Sequence, residues 1–109
     1  MSGAWRIRLT RQAEQDLTEI ASWTAEHFGP KQTERYVETI SMAIEALFDG
    51  PEVIGTKVRD DLSPGVRTLH CARNARQSQH ILVFRVVENH TLDVLRLLHE
   101  SMDLARHLK

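Results

Sequence analysis

Between His80 and Leu104 the chain reads HILVFRVVENHTLDVLRLLHESMDL, two runs of Val, Ile, Leu and Phe on either side of the polar break Glu88-Asn89-His90-Thr91. That is the composition of two paired strands joined by a tight turn, followed by a short tail helix. With the turn centred on Asn89 and His90, the two-residue period of a strand puts Leu82, Phe84, Val86, Leu95 and Leu97 on one face. Arg85 and Arg96 then fall on the other face, among Ile81, Val83, Val94 and Leu98, and His99 stands opposite His80. The first face is apolar and needs a cover.

The first half of the chain supplies that cover. Trp5 to Leu9 alternates apolar and basic, which predicts an outer strand with Trp5, Ile7 and Leu9 turned inward. Thr10 is placed to N-cap a helix from Arg11 whose stripe is Ala13, Leu17, Ile20 and Ala21, with Phe28 closing it. Glu14, Asp16 and Glu19 sit in its early turns, where the helix dipole favours carboxylates. Gly29-Pro30 ends this helix and opens the next, since proline lacks an N–H that the first helical position does not need. The second helix is expected from Pro30 to about Phe48, its stripe running through Tyr36 or Val37, Ile40, Ala43 or Ile44, and Leu47. Gly50 and Pro51 stop it.

Periodicity fails from Pro51 to Gly65, a length at which a loop either carries function or hides a short element. Ser63-Pro64-Gly65 is a turn signature, Val66 to Cys71 reads as a strand, and Arg73 to Gln79 is a polar link. The expectation is an α+β fold: a two-helix antiparallel hairpin packed on a small, mainly antiparallel sheet (β-α-α-β-β-β), with a short C-terminal helix. A chain of 109 residues has room for one such domain, spanning 1–109.

Composition changes this picture in one respect. Net charge is −1, but residues 1–56 hold 5 Lys/Arg against 9 Asp/Glu and residues 57–109 hold 9 against 6. No acid lies between Asp61 and Glu88, where Arg67, Arg73, Arg76 and Arg85 do, so the sheet side is electropositive. Solubilising arginines at strand edges would give the same count. Cys71 is the one cysteine, which rules out an internal disulfide, and the six histidines lack zinc-type spacing. The stretch MSGAWRIR has no apolar leader core and no run is long enough to span a bilayer, so a cytoplasmic protein without a cofactor is expected.

Five segments, LTRQAEQDLTEI at 9–20, FGPKQTERY at 28–36, PGVR at 64–67, HILVFRV at 80–86 and VLRLLHESMDL at 94–104, occur in an order and spacing that resembles the ParE-type toxins of the RelE/ParE superfamily. These belong to bacterial type II toxin–antitoxin modules, and the resemblance covers nearly the whole chain. It implies a helical hairpin on a small antiparallel sheet, and a growth-inhibiting protein neutralised by an antitoxin whose C-terminal segment wraps around it. ParE-type members characteristically poison DNA gyrase, whereas RelE-type members cut mRNA on the ribosome.

Metal-free RNA cleavage needs a base, an acid and cations to hold the charged phosphorane. RelE-type nucleases tend to use Lys and Arg with a Tyr or His near the C-terminus, and here that tyrosine is missing; Tyr36 lies in the second helix. Arg67, Arg85 and Arg96 serve best as anion clamps, leaving His99 as the nearby candidate for acid–base work. His99 also suits a structural role against His80, and Arg67 and Arg96 suit cross-sheet pairing with Asp93 or Glu100. The reading is therefore of a topoisomerase inhibitor rather than a catalyst, bound by a ParD-like antitoxin. Direct specific DNA binding by the toxin alone is not expected. A ribosome-dependent mRNA endonuclease and a non-toxic interaction module stay open as alternatives. Ile81, Val83, Arg85, Val94, Arg96 and Leu98 are the candidate antitoxin surface, an apolar face edged with arginine suited to an acidic-leaning amphipathic segment. Arg67, Arg73, Arg76, His99 and Arg106 are the candidate target contacts.

Overall fold

Each breaker in the sequence ends an element. The computed structural model describes residues 4–108, so the first three residues of MSGAWRIR, together with Lys109, lie outside the described residues. Helix α1 (Arg11–Phe28) opens under Thr10, whose Oγ1 accepts the Ala13 N–H at 3.1 Å, and stops at Gly29, where φ is +84°. Helix α2 (Pro30–Ala46) has Pro30 in its first turn and tightens into a 3-10 turn over Leu47–Asp49, slightly short of the expected end. Gly50 follows at φ +110°, and a Cβ there would lie 3.0 Å from the Trp5 ring.

Five strands form one sheet in the order β1-β5-β4-β3-β2: β1 Arg6–Leu9, β2 Thr56–Val58, β3 Val66–His70, β4 His80–Glu88 and β5 Thr91–His99. Neighbours are antiparallel except β1, which lies parallel to β5 at the sheet edge. Strand β2 sits in the stretch where the hydrophobic pattern failed, because three residues are too few to show alternation. Val66 N–H donates to Ser63 O at 3.1 Å with Gly65 at φ +82°, the type II turn that Pro64-Gly65 calls for. A four-residue helix, α3 (Leu104–His107), follows β5.

The helices bury Ala13, Ile40, Ala43 and Leu47 against Leu69, Leu82, Phe84, Leu92, Val94 and Leu97 of the sheet. Trp5, Ile7 and Leu9 pack against the same core. Cys71 is buried here, which pushes its thiol up to about 12, so it stays protonated at neutral pH. Phe28 does not close the α1 stripe, since it stands out in solvent beside Trp23.

The hairpin holds a correction to the expected register. Its two ends pair as anticipated, Glu88 with Thr91 and His80 with His99, but Phe84 pairs with Val94 while Val83 pairs with Arg96. Leu95 is therefore an extra residue in β5, and a second irregularity between Val86 and Glu88 in β4 restores the count. Between these bulges the faces slip by one residue. Val94 turns into the main core, and Leu95 packs on the opposite face with Val83 and Leu98.

The link between β3 and β4 turns at Asn74 (φ +52°) and Ala75 (φ +65°), closed by Arg76 N–H to Arg73 O at 2.9 Å. Two left-handed residues in succession suit glycine and penalise a Cβ. Ala75→Gly is expected to stabilise the protein by about 0.5–1 kcal/mol, the relief of strain exceeding the added freedom of the unfolded chain. A urea titration showing lower stability would mean that the turn carries no strain.

Candidate functional site

Strand β1 ends at Leu9, leaving the outer edge of β5 unpaired beyond Val94. Helix α1 closes that edge with side chains. Thr10 Oγ1 donates to Leu95 O at 2.9 Å, and Asp16 Oδ2 accepts the Leu97 N–H at 2.9 Å. Asp16 also receives Arg96 Nε at 2.8 Å and Nη2 at 3.0 Å, while Arg96 Nη1 donates to His107 O at 3.0 Å in the tail. Arg96 is thus a structural cation paired with a buried carboxylate of α1, not with Asp93 or Glu100. Asp93 pairs instead with Arg8. Asp16, expected only as a partner of the helix dipole, is 8% accessible.

The sheet face expected to be bare is covered. Val66, Val83 and Leu98 are buried there beneath Leu62 of the loop and Leu104 and Leu108 of the tail. The loop from Pro51 to Gly65 and the short α3 do what two helices on the other side cannot. Ile81 is half-buried, and Val94 belongs to the helical core, because the bulge at Leu95 reverses its face. Arg85 keeps its place on this face, donating from Nη2 to Ser63 Oγ at 2.9 Å. Its Nε is buried with no acceptor among the described residues, an unmet donor that ordinarily costs on the order of 1–3 kcal/mol.

The candidate target residues do not converge. Arg67 reaches Pro51 O at 3.5 Å and stands 4.0 Å from Glu52, and Arg73 donates to Ile54 O at 3.2 Å. Arg76 clasps α2 through Thr39 Oγ1 at 2.9 Å and Glu38 at 2.9 Å. Arg106 is exposed on α3 and makes no side-chain hydrogen bond among the described residues. His99 lies at the far end of β5, apart from these arginines.

What surrounds His99 is a cluster that pattern reading does not reveal. His80 and His99 meet edge to face with ring centroids 5.3 Å apart. The Tyr36 phenol of α2 donates to His80 Nδ1 at 2.6 Å and accepts from Gln79 N–H at 3.0 Å and Ser78 Oγ at 3.2 Å. His99 Nδ1 accepts from Ser101 N–H at 3.1 Å, so its proton sits on Nε2 and goes to Gln79 Oε1 at 3.1 Å. Beside them His70 donates to Glu100 at 3.1 Å. Tyr36, His80 and His99 line a cleft of about 1150 Å³ between α1, α2 and the end of the hairpin. Forty-four residues separate Tyr36 from His80, and no local spacing marks their meeting.

Burial, and then the neighbouring His99, push His80 down to about 4. Its neutral form is the one the fold accepts. As pH falls from 6.5 towards 4 the unfolded chain takes up a proton that the folded chain refuses, so stability declines through that window and the loss levels off below it. Discounted for the partial exposure of the ring, His80 contributes about 1–2 kcal/mol of that loss. Denaturant titrations at pH 7 and pH 4.5 should show a smaller acid penalty for His80→Gln than for the parent. Equal penalties would show that His80 is not the responsible group.

Among the described residues no group of three or more His, Cys, Asp or Glu is arranged to hold a metal ion. Nor is any helix among them long and apolar enough to cross a membrane.

Comparison with known proteins sets this arrangement in a family. A family model described as the ParE toxin of the type II toxin-antitoxin system, parDE, matches residues 7–104. A protein named Toxin ParE1 from Mycobacterium tuberculosis is 32% identical over 103 residues, covering 94% of this chain and 97% of the relative. Toxin ParE1 of Caulobacter vibrioides is 28% identical over 101 residues, covering 93% and 95%. The same fold occurs in a solved structure described as a chromosomal ParDE TA system from P. aeruginosa, with a TM-score of 0.70 at 24% identity over 90% of this chain and 98% of that one. The chain belongs to the ParE toxin family of type II toxin–antitoxin systems.

Proposed function

We propose that this toxin arrests growth by binding and poisoning DNA gyrase, that a cognate ParD-like antitoxin neutralises it, and that it does not cut RNA. The observation that carries the reading is the commitment of its cations. Arg96, the guanidinium that lines the cleft with His80 and His99, spends its donors on Asp16 and on the His107 carbonyl. Arg67, Arg73 and Arg76 are directed elsewhere, so among the described residues no clamp for a phosphorane stands beside the histidines. A binder needs none. The ribosome-dependent endonuclease draws its support from the Tyr36–His80–His99 cluster, which holds acid–base groups without that clamp. Purified toxin is expected to block supercoiling by gyrase, with antitoxin restoring it. Unimpeded supercoiling at excess toxin would overturn the reading.

On this reading the antitoxin segment lies on the sheet face of Ile81, Val83, Arg85 and Leu98, taking over the cover now given by Leu104 and Leu108. Its aliphatic residues replace the tail, and a carboxylate answers the unmet Arg85 Nε. Arg96 joins this surface through its link to the tail but is a poor probe, since reversing its charge breaks the Asp16 pair. Arg85→Glu is expected to weaken antitoxin binding at least tenfold in calorimetry, and unchanged affinity would put the antitoxin elsewhere.

A further inference from the structure

Helix α1 carries an exposed ridge that neither its core stripe nor the antitoxin face uses. Trp23 is 55% accessible and Phe28 63%, and the two rings lie together at the surface. Trp23 is held in place rather than free. His27 stacks on one side of the indole at 4.1 Å with 19° between planes, and its Nδ1 bonds the Trp23 carbonyl at 2.8 Å. Phe28 leans in at 5.9 Å, so the outward side of the indole is presented as a fixed plate. Such a plate costs little side-chain entropy when a partner docks.

Carboxylates of the same helix flank the plate. Glu19 and Glu26 lie four residues before and three after Trp23, on the same side of α1, and both are exposed. Trp23, Phe28 and Glu19 open into the cleft above Tyr36 and His80, where the lining cation, Arg96, is already cancelled by Asp16. The surface is therefore an aromatic plate between two exposed carboxylates, which is the complement of a lysine or arginine side chain.

We propose that the Glu19–Trp23–Glu26 ridge with Phe28 is the surface through which the toxin grips its target, by taking a Lys- or Arg-bearing segment of that protein over the indole. It rests on the reading that the toxin acts by holding a protein, but not on which protein. The cation lies over the outward indole side, its charge shared by the two glutamates, and its apolar neighbours pack on Phe28. This surface adjoins the arginine-edged sheet face proposed for the antitoxin, meeting it at Arg96 and Leu98 in the same cleft, and is opposite to it in charge.

The test uses the full chain in three forms: parent, Trp23→Ala/Phe28→Ala, and Glu19→Gln/Glu26→Gln. Growth arrest on expression reads the surface, gyrase supercoiling reads the target's identity, and antitoxin affinity reads folding. Both variants should need at least tenfold more toxin to arrest growth while binding antitoxin as the parent does. If they arrest growth as the parent does, the ridge is not the grip, whatever the supercoiling result. If they lose antitoxin affinity tenfold and stay toxic, the ridge belongs to the antitoxin and the proposal fails. Should the parent arrest growth without touching supercoiling while the variants are harmless, the grip stands and gyrase falls.

Discussion

Asp16→Ala is expected to destabilise the protein by about 3–5 kcal/mol, because it removes a buried carboxylate that holds a half-buried cation and a backbone donor. Three hydrogen bonds vanish together: those from Arg96 Nε, Arg96 Nη2 and the Leu97 N–H. The Arg96 charge and a backbone donor at the edge of β5 are then left unsatisfied. For a domain of this size such a loss corresponds to a fall in Tm of more than about 10 °C. Removing both members is expected to cost far less than removing Asp16 alone, so Asp16→Ala/Arg96→Met should regain much of the loss in a double-mutant cycle. A cost below about 1 kcal/mol for Asp16→Ala would mean that water reaches the pair and that the edge closure is marginal.

Phe84→Ala should cost a similar amount, about 3–5 kcal/mol, through transfer and cavity terms. Phe84 is fully buried at the centre of β4, flanked by Arg67 of β3 and Val94 of β5. Strands on both sides and helices above leave little freedom for the site to collapse. The bulge makes a sharper claim: Val94, not Leu95, faces this ring across the hairpin. Phe84→Ala should couple to Val94→Ala in a double-mutant cycle and leave Leu95→Ala nearly additive. Coupling to Leu95 in place of Val94 would contradict the observed register.

Much of this architecture was legible because local signals and global packing agree. Thr10, Gly29-Pro30, Gly50 and Pro64-Gly65 mark boundaries through backbone physics that needs no tertiary context, and the stripe of Ile40, Ala43 and Leu47 follows from helical period. The illegible parts have specific causes. Strand β2 is shorter than one full alternation. The two bulges cancel at the ends of the hairpin, so a uniform register predicts both termini correctly and misplaces Val94 and Leu95 between them. Asp16 looks like a surface carboxylate because its partner is eighty residues away, and the Tyr36–His80 bond spans two elements that only the fold brings together. Met102, Leu104 and Leu108 of the tail were expected to pack on the sheet; Leu104 and Leu108 do so, whereas Met102 stays exposed. The tail's effect in covering a face taken to be free was not apparent from α3, whose four residues carry little pattern of their own.

The central claim, a toxin that holds its target instead of cutting RNA, is tested most directly by mapping mRNA 5′ ends in a translating extract given purified toxin. Intact messages are expected at toxin concentrations that abolish gyrase supercoiling in a parallel reaction. Codon-specific cleavage that is lost on Tyr36→Phe or His80→Gln, with supercoiling unaffected, would contradict the account and make the histidine cleft a nuclease site.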